Sequence, residues 1–377
     1  MKIAVAIPTF NRVEYLRKAV QSVLDQVHDH GVELYTVISN IASTDGTGDY
    51  LDQLNKDHEN VIVYNQPEDN RKFPNPYFLA SVIPDDIDWV WLMGDDDYLM
   101  QKNTVQDVSR LIRNHQQNEL CLIHACQGGR SRSTRQVRVG EIFDLCNEFG
   151  YHEMLGWFSS IVLRRSEFVD SMNELKETHH YMRSDTLEGR SNYSAFAHSA
   201  AIYKQCVGKK SLFVDWPLVD PQDRKQTEKT AKRWAVENTP ERYLFVADDL
   251  QRLKDLGLIK NKCSRLFFRY LTVNFWDLWL SYLMSLLIDK EKTEAELTSE
   301  KFLTEWNINL DRIMKVTELL DDPNDIKQLS YMHLNVKYMA GCLSNGKFFD
   351  RAALDAISEQ IQTLIVPSYN FSFFAFE

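Results

Sequence analysis

One segment of the chain changes from wholly apolar to wholly acidic within a few residues, and it constrains the fold more than any other feature. Residues 89–93 read Trp-Val-Trp-Leu-Met and run into Gly94 and three consecutive acids, Asp95, Asp96 and Asp97. An uninterrupted apolar run is typical of a strand buried on both faces, as in a parallel sheet covered by helices. Ligands of such sheets bind at the carboxyl ends of the strands, so we expect these acids to lie in a binding crevice.

The surrounding sequence alternates between strand and helix patterns. Short apolar runs predict strands at residues 3–7, 34–39, 61–64, 88–93, 120–126 and 160–163. Apolar residues at helical spacing predict helices at residues 13–27, 50–54 and 194–206. Alternation of this kind is typical of crossover connections between parallel strands. The sequence therefore predicts an α/β fold with a mostly parallel sheet and flanking helices.

A second domain is expected beyond residue 212. The 377 residues exceed the usual size of one compact domain. Basic residues cluster at positions 224–233, and helical periodicity dominates the remainder. We predict a ligand-binding domain over residues 1–212 and a mainly helical domain over residues 213–377. The aromatic segment 266–280 fits a core helix, an oligomer interface or a membrane-surface helix.

Composition excludes several classes of protein. The formal net charge of −11 argues against a nucleic-acid partner. The six cysteines lack the paired spacing of a zinc site and the density of a disulfide scaffold, so we expect reduced thiols. No segment offers the roughly 18 uncharged apolar residues of a membrane-spanning helix. The sequence has no signal-peptide pattern, so we expect a cytoplasmic protein, with a place at the inner face of the membrane left open.

The three acids favour a divalent metal. Adjacent carboxylates repel one another, and a hard cation relieves that repulsion by accepting oxygen ligands. The three acids are therefore a predicted site for Mg²⁺ or Mn²⁺ bridging two phosphates. The competing interpretation is a solvated turn that caps the next helix, which explains one or two acids more easily than three.

Two further polar segments follow predicted strands and complete a recognisable pattern. Residues 8–12 read Pro-Thr-Phe-Asn-Arg, and residues 42–47 read Ala-Ser-Thr-Asp-Gly-Thr. Together with residues 94–97, in this order, they resemble glycosyltransferase family 2, whose members have the GT-A fold. The resemblance covers about residues 1–210.

The resemblance implies an activity. Such a protein would be an inverting, metal-dependent glycosyltransferase that moves a sugar from a nucleoside diphosphate, a UDP-sugar first of all, to a glycan hydroxyl. Surface polysaccharide or lipopolysaccharide assembly is the implied pathway, with a free or lipid-linked glycan as acceptor. A lipid-linked acceptor would make peripheral membrane contact useful, and the second domain offers a surface for homo-oligomers.

The resemblance also assigns a donor pocket. Asn40 stands where the family commonly has an aspartate that contacts the base, so the identity of the nucleotide stays open. Lys72 is a basic loop residue available to the diphosphate. The resemblance implies that Asp95 faces the ribose or the sugar, that Asp96 is the main metal ligand, and that Asp97 supports the metal or the donor sugar. The full set of predicted donor contacts is Pro8, Thr9, Phe10, Arg12, Asn40, Asp45, Asn70, Lys72, Asn75 and Asp95.

An inverting transferase needs a general base for the acceptor hydroxyl. His198, in the helix predicted at residues 194–206, matches the family's base position, and its ordinary pKa of about 6.5 suits the task. A core histidine is the competing interpretation, and Asp185 is the acidic rival. Trp157 and Ser159 are the predicted acceptor contacts, with Trp157 as a stacking face for a sugar ring or as a core anchor.

Two other functions compete. A sugar-phosphate nucleotidyltransferase shares the nucleotide-binding architecture but usually opens with a glycine-rich loop after the first strand, and residues 8–12 contain no glycine. A binding or scaffold protein derived from a transferase would have lost its acids or its base, and the acids are intact.

Overall fold

The computed structural model describes residues 1–66, 75–128, 136–178, 196–222, 239–259 and 261–271, together with residues 311, 314–315, 318–327, 329–330, 333–334 and 337. The chain divides into two compact units, residues 1–226 and 227–377. The first unit extends past residue 212, where the sequence placed the end of the first domain. It does so because strands at Lys210–Val214 and Val219–Pro221 belong to its sheets.

Eight strands form the main sheet of the first unit, and two more form a small antiparallel pair. The main sheet contains β1 (Lys2–Thr9), β2 (Glu33–Ile41), β3 (Val61–Gln66), β4 (Trp89–Leu92), β6 (Leu120–His124), β7 (Val137–Glu141), β8 (Ile161–Arg164) and β9 (Lys210–Val214). The pair contains β5 (Asp97–Leu99) and β10 (Val219–Pro221).

The main sheet is mostly parallel, as predicted. Its order is β3-β2-β1-β4-β8-β6-β9-β7. The β1–β2, β2–β3, β1–β4 and β6–β9 pairs are parallel. Strand β8 runs antiparallel to both β4 and β6, and β7 runs antiparallel to β9. All six predicted strands are found, whereas β5, β7, β9 and β10 were not predicted.

Helices connect the strands of the first unit. They are α1 (Val13–Leu24), α2 (Thr47–Asp57), α3 (Pro76–Val82), α4 (Thr104–Asn114), α5 (Ile142–Phe149), α6 (Tyr151–Leu155), α7 (Arg165–Thr178) and α8 (Ala197–Cys206). Short 3₁₀ turns lie at Gln116–Asn118 and Phe158–Ser160. The predicted helices correspond to α1, α2 and α8.

The core lies between the sheet and its helices. Residues 3–7 of β1 are fully buried, which explains their unbroken apolar run. Helix α1 buries Leu16, Ala19, Val20 and Val23, the face that its helical spacing predicts. Five cysteines of the described residues are buried and form no disulfide, which fits the expected reduced thiols.

The sheet topology brings four chain segments to one edge. Strands β1, β2 and β4 are parallel, so their carboxyl ends at Thr9, Ile41 and Leu92 meet there. Strand β8 is antiparallel to β4, so the segment before Ile161 arrives at the same edge. This edge therefore carries the predicted site.

Asp45 fixes the turns that follow β1 and β2. Its Oδ2 accepts a hydrogen bond from the Val13 N–H at 2.9 Å, where α1 begins. Its Oδ1 accepts bonds from the Thr47 N–H at 3.2 Å and the Thr47 hydroxyl at 2.5 Å, where α2 begins. Burial opposes ionisation, but these hydrogen bonds outweigh it, and the pKa of Asp45 is lowered. One carboxylate thus joins two helix starts.

The described residues of the second unit include helix α9 (Thr239–Asp255) and a bridge between Cys263 and Leu320. Phe267, Phe268 and Leu271 are buried, which favours a core role for the first part of the aromatic segment predicted at residues 266–280. Residues 272–280 lie outside the described residues. None of the described helices is long and apolar enough to cross a membrane.

Replacing Asp45 with Ala should lower the free energy of unfolding by about 1–3 kcal/mol, because two helix starts lose their acceptor. Urea unfolding of the full chain, followed by tryptophan fluorescence, measures the change. Asp49→Ala is the matched control, since Asp49 is an exposed acid in the first turn of α2 and should cost about 0.5 kcal/mol. Equal losses in both variants would contradict a joining role for Asp45.

Candidate active site

The acidic motif, residues 94–97, forms a turn directly after β4. The Asp97 N–H donates to the Gly94 carbonyl at 3.2 Å, and β5 begins at Asp97. A Cβ on Gly94 would lie 2.8 Å from Asp97 Oδ2 and 3.1 Å from Asp96 Oδ1. A side chain at this position would therefore displace one or both carboxylates, so glycine lets them keep their positions.

Ser159 holds Asp97 in place. The Ser159 hydroxyl donates a short hydrogen bond to Asp97 Oδ2 and accepts one from the Gly94 N–H at 2.8 Å. The Ser159 carbonyl accepts a bond from the Trp91 indole at 2.8 Å. Ser159 is fully buried, so its hydroxyl supports the acidic motif from behind. Its predicted contact with the acceptor stays a prediction, and the geometry gives it a different task.

Arg12 and Thr9, at the end of β1, contact the acids from the opposite side. Arg12 Nη1 lies 3.0 Å from both Asp95 Oδ1 and Asp96 Oδ2. The Thr9 hydroxyl donates to Asp95 Oδ2 at 2.8 Å. Burial raises the pKa of Asp95 to about 6, with Arg12 acting against the increase. Burial opposes the charge on Arg12, yet the two carboxylates outweigh it and raise the pKa of the guanidinium.

Polar side chains between β1, β2 and β3 form a network of two adjacent hydrogen-bonded groups. The side-chain amide of Asn40 donates a hydrogen bond to Asn65 Oδ1 at 2.9 Å. Asn40 Oδ1 accepts a hydrogen bond from the Ser43 hydroxyl at 2.5 Å. The Asn75 amide donates to the carbonyls of Thr9 and Ser39, at 2.8 Å and 2.7 Å. The predicted donor residues Thr9, Asn40 and Asn75 thus lie together, in fixed orientations.

Two residues of this network escaped sequence analysis. Gln66, at the end of β3, donates hydrogen bonds to Asn75 Oδ1 and to the Ser39 hydroxyl, each at 2.5 Å. Asn65 pairs with Asn40 across the β2–β3 register. Both follow an apolar run at the carboxyl end of a predicted strand, and that position was the available signal.

The remaining predicted donor residues are distributed unevenly. Pro8 pairs with Ser39 in the sheet register, and the Phe10 side chain is 43% exposed at the site edge. Asp45 serves the helix starts described above. Asn70 and Lys72 lie outside the described residues.

The strand β10 covers the acidic motif and was also missed. It pairs with β5, so Pro221 lies opposite Asp97. The Gln222 N–H donates to the Asp96 carbonyl at 2.9 Å, and its side-chain amide donates to the Tyr15 carbonyl at 3.0 Å. Residues far along the chain therefore fix the backbone of the motif. A strand of three residues containing proline gives a weak pattern in the sequence.

His198 lies near the start of α8, with its ring edge-on to Phe158 at a centroid distance of 5.4 Å. Burial lowers the pKa of His198 to about 4, although hydrogen bonding with the backbone of Leu155 and Gly156 favours its charged form. The imidazole is therefore neutral at pH 7 and a weak proton acceptor. Asp185, the rival base, lies outside the described residues.

Trp157 is partly exposed and precedes the Phe158–Ser160 turn, next to Ser159. This places it at the edge that carries the acidic motif, as an acceptor platform requires. The prediction that it stacks on a sugar stays a prediction.

The acidic motif has donor chemistry that fits a divalent cation. Asp96 Oδ1 and Asp97 Oδ2 converge on the space beside Gly94, and carboxylate oxygens are the ligands that Mg²⁺ and Mn²⁺ prefer. Within the described residues, no group of three or more His, Cys, Asp or Glu side chains is arranged to hold a metal alone. Mg²⁺ is commonly held by one or two carboxylates together with substrate phosphates, so the site suits a metal that binds with a diphosphate.

Comparison with known sequences identifies this region. Residues 4–170 match the family model described as glycosyl transferase family 2. Over 99 residues the chain is 36% identical to the abequosyltransferase RfbV of Salmonella typhimurium. That match spans 26% of this chain and 29% of the relative, so the chain matches less than a third of the relative's length.

Solved structures with a similar fold cover most of the chain. The crystal structure of residues 1–349 of Staphylococcus aureus TarS in complex with UDP-GlcNAc matches with a TM-score of 0.54, 14% identity and 93% coverage of both chains. A second crystal structure of the same TarS fragment matches with a TM-score of 0.50, 14% identity and the same coverage. At such low identity the likeness concerns the fold alone, and the predicted GT-A fold is confirmed.

Replacing Ser159 with Ala should lower the free energy of unfolding by about 1–3 kcal/mol, because the buried Asp97 carboxylate and the Gly94 N–H lose a common partner. Ser160→Ala is the control, since Ser160 is equally buried and its side chain has no hydrogen bond to the motif among the described residues. Urea unfolding of the full chain measures both variants. Similar losses of unfolding free energy in the two variants would contradict the supporting role of the Ser159 hydroxyl.

Proposed function

We propose that the whole protein transfers a sugar from a nucleoside diphosphate to a hydroxyl of a glycan, because residues 4–170 match the family model described as glycosyl transferase family 2. The observation that carries this proposal is the meeting of three loops at one sheet edge. Residues 8–12, the turn after β2 and the acidic motif lie there together, held by Arg12 and Thr9 on one side and Ser159 on the other.

The acidic motif is the proposed site of a divalent cation, Mn²⁺ or Mg²⁺, held by Asp96 and Asp97. The convergence of their oxygens beside Gly94 supports this assignment. When bound, the cation supplies positive charge that stabilises the diphosphate as it leaves. Asp95 is buried and accepts hydrogen bonds from Thr9 and Arg12, so it fixes the position of the acidic motif relative to the end of β1.

The polar network of Asn40, Asn65 and Asn75 is proposed to bind the nucleoside of a UDP-sugar. Phe10 adds an exposed aromatic face at the same edge. Fixed amide orientations favour selective recognition, because a base with the wrong pattern of donors and acceptors would leave buried groups unpaired. The TarS fragment was solved with UDP-GlcNAc, which supports a uridine nucleotide as the first donor to test.

Transfer is proposed to proceed with inversion in one displacement. The acceptor oxygen forms a bond to the anomeric carbon, its proton passes to a general base, and the bond from that carbon to the diphosphate oxygen breaks. Of the two predicted bases, His198 is buried and packs edge-on against Phe158, so its ring is poorly placed to receive a proton from an incoming acceptor. We therefore propose Asp185 as the base, with His198 as a packing residue.

The acceptor is proposed to be a surface glycan, free or lipid-linked. The 36% identity to an abequosyltransferase over 99 residues supports lipopolysaccharide or related polysaccharide assembly. Trp157, partly exposed at the site edge, is the proposed stacking face for the acceptor sugar. Cytoplasmic location, peripheral membrane contact and oligomers through the second unit stay predictions.

A nucleotide should stabilise the protein only in the presence of metal. At a concentration of about 100 times its dissociation constant, UDP with Mn²⁺ should increase the free energy of unfolding by about 2.7 kcal/mol. The thermal midpoint should then rise by roughly 5–10 °C. Parallel scans with GDP, CDP and dTDP, each with and without Mn²⁺, identify the donor class.

Asp96→Asn should remove the metal-dependent part of this increase, and Asp49→Asn, a change on the exposed face of α2, should retain it. Equal stabilisation of the Asp96 variant and the unmodified protein would exclude Asp96 as a ligand. The absence of stabilisation by every nucleotide would favour a binding or scaffold protein instead.

Asp185→Asn should lower the turnover of the donor by at least about 100-fold, because general-base catalysis contributes about that much or more. The measurement is nucleotide release from the donor at saturating concentration, at pH 7. Glu188→Gln, a nearby acid, is the control and should leave turnover within about threefold of the unmodified protein.

His198→Gln should lower turnover by less than tenfold once rates are corrected for the folded fraction. A reversed order, with the His198 variant inactive and the Asp185 variant active, would return the role of base to His198.

A further inference from the structure

Arg12 occupies an unusual place for a residue expected in a nucleotide pocket. A single guanidinium nitrogen lies 3.0 Å from one oxygen of Asp95 and 3.0 Å from one oxygen of Asp96. The proposed metal site is formed by Asp96 and Asp97, so Asp96 is the acid that the guanidinium and a divalent ion would share. A positive group already paired with Asp96 lowers the attraction of this acid for a second cation.

The backbone around Arg12 is held independently of its side chain. The Asn11 N–H donates to the Ser43 hydroxyl at 2.9 Å, and the Val13 N–H donates to Asp45 at 2.9 Å. The described hydrogen bonds of the guanidinium all go to Asp95 and Asp96. The Arg12 side chain is 38% exposed, so it can turn away from the acids without moving the chain to either side.

The charges also favour a resident cation. Asp95 and Asp97 are 5% and 4% exposed, and Asp96 follows directly on the first of them. Like charges in so small a buried volume repel strongly unless a positive group lies among them. Arg12 is the positive side chain that the described residues place against the motif.

We propose that Arg12 is a built-in counter-cation that weakens divalent-metal binding in the nucleotide-free protein and gives way when the donor diphosphate supplies another partner for its guanidinium. The inference rests on the proposed metal site at Asp96. It makes metal and donor binding mutually dependent, because each removes an obstacle to the other. The free protein would then retain little metal of its own.

The test is a titration of the nucleotide-free full chain with Mn²⁺, in which bound and free ion are separated by electron paramagnetic resonance. Arg12→Gln should bind Mn²⁺ about fivefold more tightly than the unmodified protein, since a partly exposed ion pair of about 1 kcal/mol is removed. In saturating UDP this difference should fall below twofold. Arg12→Lys keeps the positive charge, so its gain in Mn²⁺ affinity should be less than half that of Arg12→Gln.

Arg17→Gln is the matched control. Arg17 lies on α1 and stacks over the Tyr50 ring at 4.2 Å, so its removal changes the net charge equally without touching the acids. The affinity of Arg17→Gln for Mn²⁺ should stay within twofold of that of the unmodified protein. Thermal unfolding without metal shows whether each variant is folded. If Arg12→Gln does not fold, Arg12→Met is a second neutral variant for the same titration.

Failures of the two proposals are distinguishable in the same titration. Unchanged or weaker Mn²⁺ binding by Arg12→Gln, while Asp96→Asn loses binding, would overturn the role of Arg12 and leave the metal site intact. An equal gain by Arg12→Lys and Arg12→Gln would overturn it too. Mn²⁺ binding by Asp96→Asn at the affinity of the unmodified protein would instead overturn the metal site.

Discussion

The structure depends on keeping a cluster of negative charge at the end of a buried strand. Burying a carboxylate is costly unless it is hydrogen-bonded and faces a positive group. Asp95 receives bonds from Thr9 and Arg12, and Asp97 receives one from Ser159. These partners come from two distant segments, the end of β1 and the turn before β8, so the folded first unit is what makes the acidic motif stable.

The direction of the strands explains how those partners reach the motif. Strand β1 is parallel to β4, and its last residue is Thr9, so Thr9 and Arg12 arrive at the carboxyl end of β4. Strand β8 is antiparallel to β4, so Ser159, in the turn that precedes β8, reaches the same end. A parallel β8 would carry that serine to the opposite edge. The reversed strand is thus a condition for the site.

Local patterns allowed the sheet and its site edge to be predicted, because apolar runs and helical spacing are encoded in neighbouring residues. The three site loops were found for the same reason, since each follows a strand. The contacts of Ser159 with Asp97 and of Gln222 with the Asp96 backbone join residues 62 and 126 positions apart, and no local pattern encodes them. Ser159 therefore had only its neighbour Trp157 to suggest a role, and the acceptor role suggested in this way differs from its contacts.

The asparagine at position 40 is explained by its neighbour in the sheet. Asn40 and Asn65 are register partners in β2 and β3, and the Asn40 amide donates to Asn65 Oδ1 while its Oδ1 accepts from Ser43. An aspartate at position 40 would present two acceptors and lose the donor that Asn65 uses. The amide keeps one N–H and one oxygen lone pair for a ligand, whereas a carboxylate offers lone pairs alone. Asn40 and Asn65 therefore form a matched pair, and changing either one to a residue of different hydrogen-bonding character leaves its partner without this bond.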